Sequence, residues 1–340
     1  HQQYLSHRLG SNAMKFGFIT TEGGAYFKEA LEEAVYGEEL GFDSVWLEEH
    51  HSIRNHYWPS PFVALAGIAT RTSRILLGTD IVVLPFYHPV RAAEDSAMLD
   101  VISNGRFVFG AAIGYRPPEF ELYDVSLDDR GARYVEMLKI IRALWTQEQV
   151  EYNGRFFRIK GCIEPRPAQP IPIWLGGWGE LSLKRAAQLG DAWVPGPTAN
   201  LEKLLNAQKQ YRAFLADAGK NPADVPAPLT REVVIAETRE GAWELAEKYV
   251  MVNYRDEYGG GWKHPLIGSQ DQTPVALDSL SNDRFIVGTP EDCIAQIQRF
   301  VETFGVDHLI CRLYFAGMPH DHIMAELKLL AQEVFPAFRK

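Results

Sequence analysis

Gly41-Phe42-Asp43-Ser44-Val45-Trp46-Leu47-Glu48-Glu49-His50-His51 is the stretch that decides the fold. A helical pattern ends at Gly41, where a glycine serves as a left-handed cap. A short apolar strand, Val45 to Leu47, follows. Two carboxylates and two imidazoles then stand where that strand ends. Ionisable groups at the C-terminal tip of a buried parallel strand are costly to place, and in α/β barrels that tip faces the active site. The same order of glycine, aspartate and apolar strand returns twice. It appears as Leu189-Gly190-Asp191 before Ala192-Trp193-Val194 and as Phe304-Gly305-Val306-Asp307 before His308-Leu309-Ile310. Helix, tight turn and buried strand make the αβ half of a βαβ unit.

Eight such strands are expected, near Lys15–Thr20, Ser44–Leu47, Ile75–Thr79, Phe107–Ala112, Pro172–Gly176, Ala192–Pro195, Thr230–Ala236 and Asp307–Arg312. Helical patterns separate them, such as Phe27, Ala30, Leu31, Ala34 and Val35, or Tyr134, Met137, Leu138, Ile141 and Leu144 opened by Asp128-Asp129. The expected fold is α/β, a single-domain (β/α)8 TIM barrel over residues 14–340. The rival is a doubly wound sheet, which carries GxGxxG after its first strand; here Phe18-Ile19-Thr20-Thr21 follows instead. Residues 1–13 lack periodicity, precede Met14 and are read as an appended remnant. Two insertions are expected. Glu151 to Phe157 reads as a β-hairpin turning at Asn153-Gly154, and Arg255 to Gly288 as a long loop with Gly259-Gly260-Gly261, either a lid or a plain surface loop.

A net charge of −10, without a basic aromatic-rich run, argues against nucleic-acid partners and for small-molecule chemistry. Apolar runs such as Ile81 to Leu84 are far too short to span a bilayer, so no membrane partner is expected. Cys162, Cys293 and Cys311 form no CxxC and point to a reducing, cytoplasmic setting. GxSxG and HExxH are both missing, and no HxH ends the first strand, so neither an α/β-hydrolase nor a metal site is expected.

Successive strand residues point to opposite faces, so His50 and His51 cannot both face the mouth while the strand lasts. One imidazole, oriented by a carboxylate such as Glu49, suits proton transfer near neutral pH. A lone histidine is more often a satisfied loop residue; four ionisable groups together favour function. His88, in Leu84-Pro85-Phe86-Tyr87-His88-Pro89, reads equally well as a helix cap or a site group. Trp174-Leu175-Gly176-Gly177-Trp178-Gly179-Glu180-Leu181-Ser182 is a strand, a glycine turn and a helix start, a place where backbone N–H groups approach an anion. Alone it signals phosphate weakly. Ile113-Gly114-Tyr115-Arg116-Pro117-Pro118-Glu119 leaves the fourth strand with room for a flat ligand, or simply caps a helix.

Taken together, these segments, with Val287-Gly288-Thr289-Pro290-Glu291, resemble the bacterial luciferase-like family of flavin-dependent monooxygenases. The resemblance runs in order from Met14 to about Ile310. It implies a TIM barrel, reduced FMN delivered by a separate flavin reductase, dioxygen and a small organic substrate, and a homodimer. It implies His50 as the site histidine, His88 as a second one near the pocket and Glu119 as a site carboxylate. It places Gly177, Trp178, Gly179 and Ser182 at the flavin phosphate. It places Thr79, Asp80 and Ile81 at a bulge, often with a non-proline cis peptide, against the ring, next to Gly114 and Tyr115. Where luciferase has a phosphate-binding arginine this chain has Ile113, with Arg116 as the replacement to test. A deazaflavin-dependent oxidoreductase on the same barrel is the nearest alternative, and a non-catalytic flavin-binding protein is the other. Phe18, Trp46, Tyr57, Trp58 and Tyr115 near the mouth suggest an apolar substrate.

Overall fold

The computed structural model describes residues 13–54, 56–252, 254–255 and 277–339. Its strands are β1 (Lys15–Ile19), β2 (Ser44–Leu47), β3 (Leu76–Thr79), β4 (Val82–Val83), β5 (Phe107–Ala112), β6 (Val150–Asn153), β7 (Arg158–Gly161), β8 (Ile173–Leu175), β9 (Ala192–Trp193), β10 (Pro228–Ile235), β11 (Ile286–Gly288) and β12 (His308–Arg312). The pairing order β10-β12-β1-β2-β3-β5-β8-β9 is parallel throughout. The ring closes where the Thr230 N–H of β10 donates to the Pro195 carbonyl just after β9, 3.2 Å away. All eight expected strands are the staves of this barrel, and helices cover its outside.

The repeated aspartates have a physical role at the bottom rim. Asp43 accepts the Phe16 N–H at 2.7 Å, Asp191 the Ile173 N–H at 2.8 Å, and Asp307 the Ala227 N–H at 3.0 Å. Each carboxylate satisfies a backbone donor at or beside the start of a neighbouring strand, which sets its register.

Alternation along the strands fills the interior in layers. Ser44 and His308 lie lowest, with the Ser44 hydroxyl 2.7 Å from His308 Nε2 and accepting from Trp46 Nε1 at 2.7 Å. Burial drives His308 down to about 3, so it is neutral. Above them Trp46 and Trp174 stack with ring centroids 5.0 Å apart, among Ile19, Val108, Val194 and Ile310. Gly78, opposite Trp46 on β3, makes room: a Cβ there would lie 2.1 Å from the indole. The next inward positions are Glu48, Asp80, Glu232 and Arg312, with Thr230, level with Ile310, reaching Asp80 from below, so the polar layer sits directly on an apolar plug.

Two expectations change. The hairpin β6–β7 pairs Asn153 with Arg158, so its loop is the four residues Gly154 to Phe157 and not a two-residue Asn-Gly turn. Glu136 dictates this by accepting the Arg155, Phe156 and Phe157 N–H groups. The long insertion is not irregular to its end: Leu277–Ser281 is helical and β11 joins the edge of β10. The remainder of the expected lid, residues 256–276, lies outside the described residues.

Candidate active site

A cavity of about 390 Å³ opens at the C-terminal mouth of the barrel. Glu48 and His50 enter from the end of β2, Asp80 and Ile81 from the end of β3, Ile113 to Tyr115 from the end of β5, Gly177 to Gly179 and Ser182 from the turn after β8, and Arg312 from β12.

His50 is an imidazole that lines this cavity. Its Nδ1 lies 2.9 Å from Glu119 Oε1, and its Nε2 is 3.3 Å from the Tyr115 hydroxyl. Glu119 Oε1 also accepts the His51 N–H at 2.8 Å and faces Arg116 Nη1 at 3.3 Å. Burial works against that charge, but hydrogen bonds from His50 and His51 and the Arg116 guanidinium hold the carboxyl below its ordinary value. An ionised carboxylate only accepts, so Nδ1 carries the proton of that bond, and Nε2 faces the Tyr115 hydroxyl. Glu119 does not itself line the cavity; the helix Pro117–Leu122 holds it behind His50.

Glu49 was expected to orient His50 and does not. It touches the cavity wall, but its carboxyl turns outward from β2, where Oε1 binds His51 Nε2 at 2.8 Å and Oε2 accepts the Val83 N–H at 2.8 Å. Burial raises it, with His51 opposing. His51 turns away from the mouth, its Nδ1 3.1 Å from the Tyr123 hydroxyl. His88 also lies outside the cavity. It is exposed, caps the helix Pro89–Ile102 by accepting the Val90 N–H at 3.3 Å, and faces Phe157. A proline at the first helical position leaves that cap as the local demand on the histidine.

At the bulge, the Asp80–Ile81 peptide is cis. Thr79 sits beneath it and clips β3 to β5, its hydroxyl donating to the Gly110 carbonyl at 2.7 Å and accepting the Gly110 N–H at 2.9 Å. It makes no cavity wall. Asp80 does, accepting from the Thr230 hydroxyl at 2.5 Å. Burial, aided by the Glu48 charge, pushes Asp80 up to about 7 against the pull of Thr230 and Arg312.

Gly177 adopts φ 119°, and a Cβ there would meet the Ser182 Cβ at 2.6 Å. A Cβ on Gly179 would touch nothing within 4 Å, so that backbone is open to the cavity. Trp178 leans on Trp193, whose indole N–H donates to the Gly177 carbonyl at 2.8 Å. Gly114, at φ 73°, keeps Val83 and Phe120 clear of the β5 exit. Arg116 is committed to Glu119. The cation beside the glycine turn is Arg130, which lines the cavity, donates to the Leu127 carbonyl and has a buried Nε without a partner.

Arg130, Arg312 and Thr198 line the cavity and were not expected. Arg312 carried a signal, since it ends a buried strand as Glu48 does. Arg130 carried none: it opens a helix far from the turn it faces. Of the aromatics expected at the mouth, Tyr57 and Tyr115 are there, Trp46 lies in the plug, and Phe18 and Trp58 pack outward against Phe42 and Phe27.

A family model described as "Luciferase-like monooxygenase" matches residues 9–308. The chain belongs to the luciferase-like monooxygenase family. It is an oxidoreductase of that family. One relative is the F420-dependent glucose-6-phosphate dehydrogenase of Amycolatopsis mediterranei, 27% identical over 92% of this chain and 95% of its own length. Another is the oxygenase component of the flavin-dependent trigonelline monooxygenase of Acinetobacter baylyi, 28% identical over 92% and 90%. Among solved structures, monooxygenase RslO1 from Streptomyces bottropensis superimposes with a TM-score of 0.83 at 28% identity, covering 95% of this chain and 99% of that one. The luciferase-like family thus contains both flavin- and F420-dependent relatives of this chain. Among the described residues no helix is long and apolar enough to cross a membrane.

Proposed function

We propose that this chain is the oxygenase component of a two-component monooxygenase, binding reduced FMN from a separate reductase and using dioxygen on a small organic substrate. The observation that carries the reading is one cavity that joins a carboxylate-oriented imidazole, His50 on Glu119, to an anion cradle about the Gly177 turn. The residues fit a flavin phosphate: Arg130 offers a buried, unpartnered N–H, and Gly177, Gly179 and Ser182 offer backbone and hydroxyl donors at a helix start. Asp80, Ile81, Gly114 and Tyr115 would hold the ring. When bound, FMN supplies the reducing equivalents and the activation of oxygen.

The protein's own part is proton handling and exclusion of water. His50 accepts a proton at Nε2, and Glu119 behind it stabilises the cation that results. The Tyr115 hydroxyl, 3.3 Å from the same nitrogen, fixes the ring plane. The Trp46–Trp174 plug forms an apolar floor beneath the cavity.

A second reading is a deazaflavin-dependent oxidoreductase on the same residues, favoured by the similarity to the F420-dependent dehydrogenase. Anaerobic titration with reduced FMN and with reduced deazaflavin separates the two, followed by admission of oxygen. Tight FMN binding and steady oxygen consumption support the monooxygenase. Binding of deazaflavin alone, with hydride transfer indifferent to oxygen, replaces it by the second reading.

A further inference from the structure

The β2 tip carries a second carboxylate–imidazole pair, which the reading above leaves unused. Glu49 and His51 are both buried. Glu49 Oε1 lies 2.8 Å from His51 Nε2, and the other ring nitrogen, Nδ1, lies 3.1 Å from the Tyr123 hydroxyl. Both ring nitrogens of His51 are thus engaged, and neither is left for a ligand. Phe86 and Tyr123, themselves stacked at 4.6 Å, pack against the ring. A phenyl ring would fill that space as well. Burying an imidazole and a carboxylate is costly unless their polar atoms are paired, and here they are paired into one chain.

The two ends of the chain are fastened to different walls of the site. At one end Glu49 Oε2 accepts the Val83 N–H at 2.8 Å, and the Glu49 N–H donates to the Ile81 carbonyl at 3.3 Å. Ile81 and Val83 line the main cavity. At the other end Tyr123 closes the helix Pro117–Leu122, its N–H donating to the Glu119 carbonyl at 3.1 Å. Between them the His51 N–H donates to Glu119 Oε1 at 2.8 Å, the same oxygen that lies 2.9 Å from His50 Nδ1. One oxygen therefore joins the two histidines, His50 through its ring and His51 through its backbone.

That backbone needs holding. β2 ends at Leu47, and Ser52 follows His51 at φ 60°, a left-handed conformation that is uncommon for a residue other than glycine. A side chain tied at both ring nitrogens keeps the His51 N–H on Glu119 just before the chain turns.

We propose that Glu49, His51 and Tyr123 are positioning residues for Glu119 and, through it, for His50. They bind the loop at His51 to the helix Pro117–Leu122, so that Glu119 Oε1 stays in place and the His50 ring keeps one orientation. Glu49 makes no bond to His50; its part is to hold His51. The use of that orientation in catalysis rests on the oxygenase reading above; the positioning itself does not.

The test is nitrogen NMR of the cofactor-free full chain carrying isotope-labelled histidine, with FMN binding measured separately. Two quantities are read: the deuterium exchange rate of the His51 amide, and the ring nitrogen shifts of His50, which report which nitrogen carries the proton. Tyr123→Phe removes one hydroxyl and keeps the stack on Phe86. The His51 amide should then exchange about fivefold faster, the effect of losing one neutral hydrogen bond, and the His50 shifts should move from one tautomer toward a mixture of both. His51→Phe keeps a ring in the same space and should move the His50 shifts further. Gly190→Ala is the control, destabilised at the bottom rim by a Cβ 2.8 Å from the Ala186 carbonyl oxygen; it should leave both quantities at their wild-type values. Unchanged exchange in Tyr123→Phe, or unchanged His50 shifts in His51→Phe, overturns the proposal. Equal changes in Gly190→Ala overturn it too, since they would mark a general loss of stability. Failure of the wild-type protein to bind FMN while these results hold would remove the cofactor reading and leave the positioning intact.

Discussion

Asp80→Asn isolates the cost of keeping a carboxyl in the barrel mouth. The folded protein holds Asp80 at about 7, raised first by burial and then by Glu48, whereas an unfolded aspartate titrates near about 3.9. Between those values the folded chain binds a proton that the unfolded chain has released, so stability falls as the pH rises and stops falling above the folded value. The loss is about 1.4 kcal/mol for each pH unit in the window. Asparagine has nothing to titrate: its carbonyl takes the Thr230 hydroxyl, and its amide faces the cavity that Asp80 already lines. The variant should therefore be the more stable protein, and its lead should widen by about 1.4 kcal/mol from pH 6 to pH 8. For a chain of 340 residues, with an unfolding entropy of about 0.7 kcal/mol/K, that widening is about 2 °C in Tm. Urea and thermal unfolding of both cofactor-free proteins at the two pH values measure it. A lead that stays constant or narrows refutes the assignment of a near-neutral acid to this position.

Four further substitutions test the site and the plug beneath it. His50→Ala should keep the fold and cofactor binding but release hydrogen peroxide in place of product; unchanged coupling of oxygen to product would remove His50 from the chemistry. Glu119→Gln weakens a charge-assisted bond worth about 1.5–2 kcal/mol, so kcat should fall roughly ten- to thirtyfold with the FMN dissociation constant unchanged; an equal loss of FMN affinity would make Glu119 a pocket-shaping residue instead. Gly177→Asp puts a Cβ 2.6 Å from the Ser182 Cβ and adds negative charge beside the phosphate cradle, and FMN should bind about tenfold more weakly or worse, about 1.4 kcal/mol; equal dissociation constants would sink the cradle. Gly78→Ala pushes a methyl to 2.1 Å from the Trp46 ring, and overpacking of this kind costs about 1–3 kcal/mol; a urea midpoint unchanged from wild type would show that the plug is loose.

The barrel was legible because its information is local and periodic. Gly41 and Asp43 announce β2, Asp307 announces β12, and each aspartate anchors a backbone donor at the rim. Alternation along β2 separates Glu48 from Glu49 and His50 from His51, but it does not say which carboxylate meets which imidazole. Glu119 finds His50 across 69 residues, while the adjacent Glu49 takes His51, two residues on. Sequence proximity favoured the wrong partner. His88 misled for a related reason: a histidine before a proline satisfies a helix start as well as a site does, and nothing local distinguishes the two. Arg130 was invisible because its role depends on where a helix start lands against the turn after β8. The hairpin loop was misjudged because Glu136, on a preceding helix, sets its length.

Closure explains why the ionisable layer sits where it does. Glu48, Asp80, Glu232 and Arg312 occupy inward positions in or just past β2, β3, β10 and β12, strands that the sheet gathers on the two sides of β1. One layer lower, the inward positions hold Trp46, Trp174 and Ile310, and two layers lower a neutral His308. The plug therefore separates the polar layer from the bottom rim, and the ionisable groups gather at the upper end of the barrel, beside the cavity. Behind Glu48 the wall is not apolar: the buried Glu22, in the loop after β1, accepts the Glu48 N–H, and His56 Nε2 lies 3.5 Å from Glu22 and 3.3 Å from Arg312. A leucine in place of Glu22 would fill the same space without burying a carboxyl, but it would leave the Glu48 N–H without its acceptor.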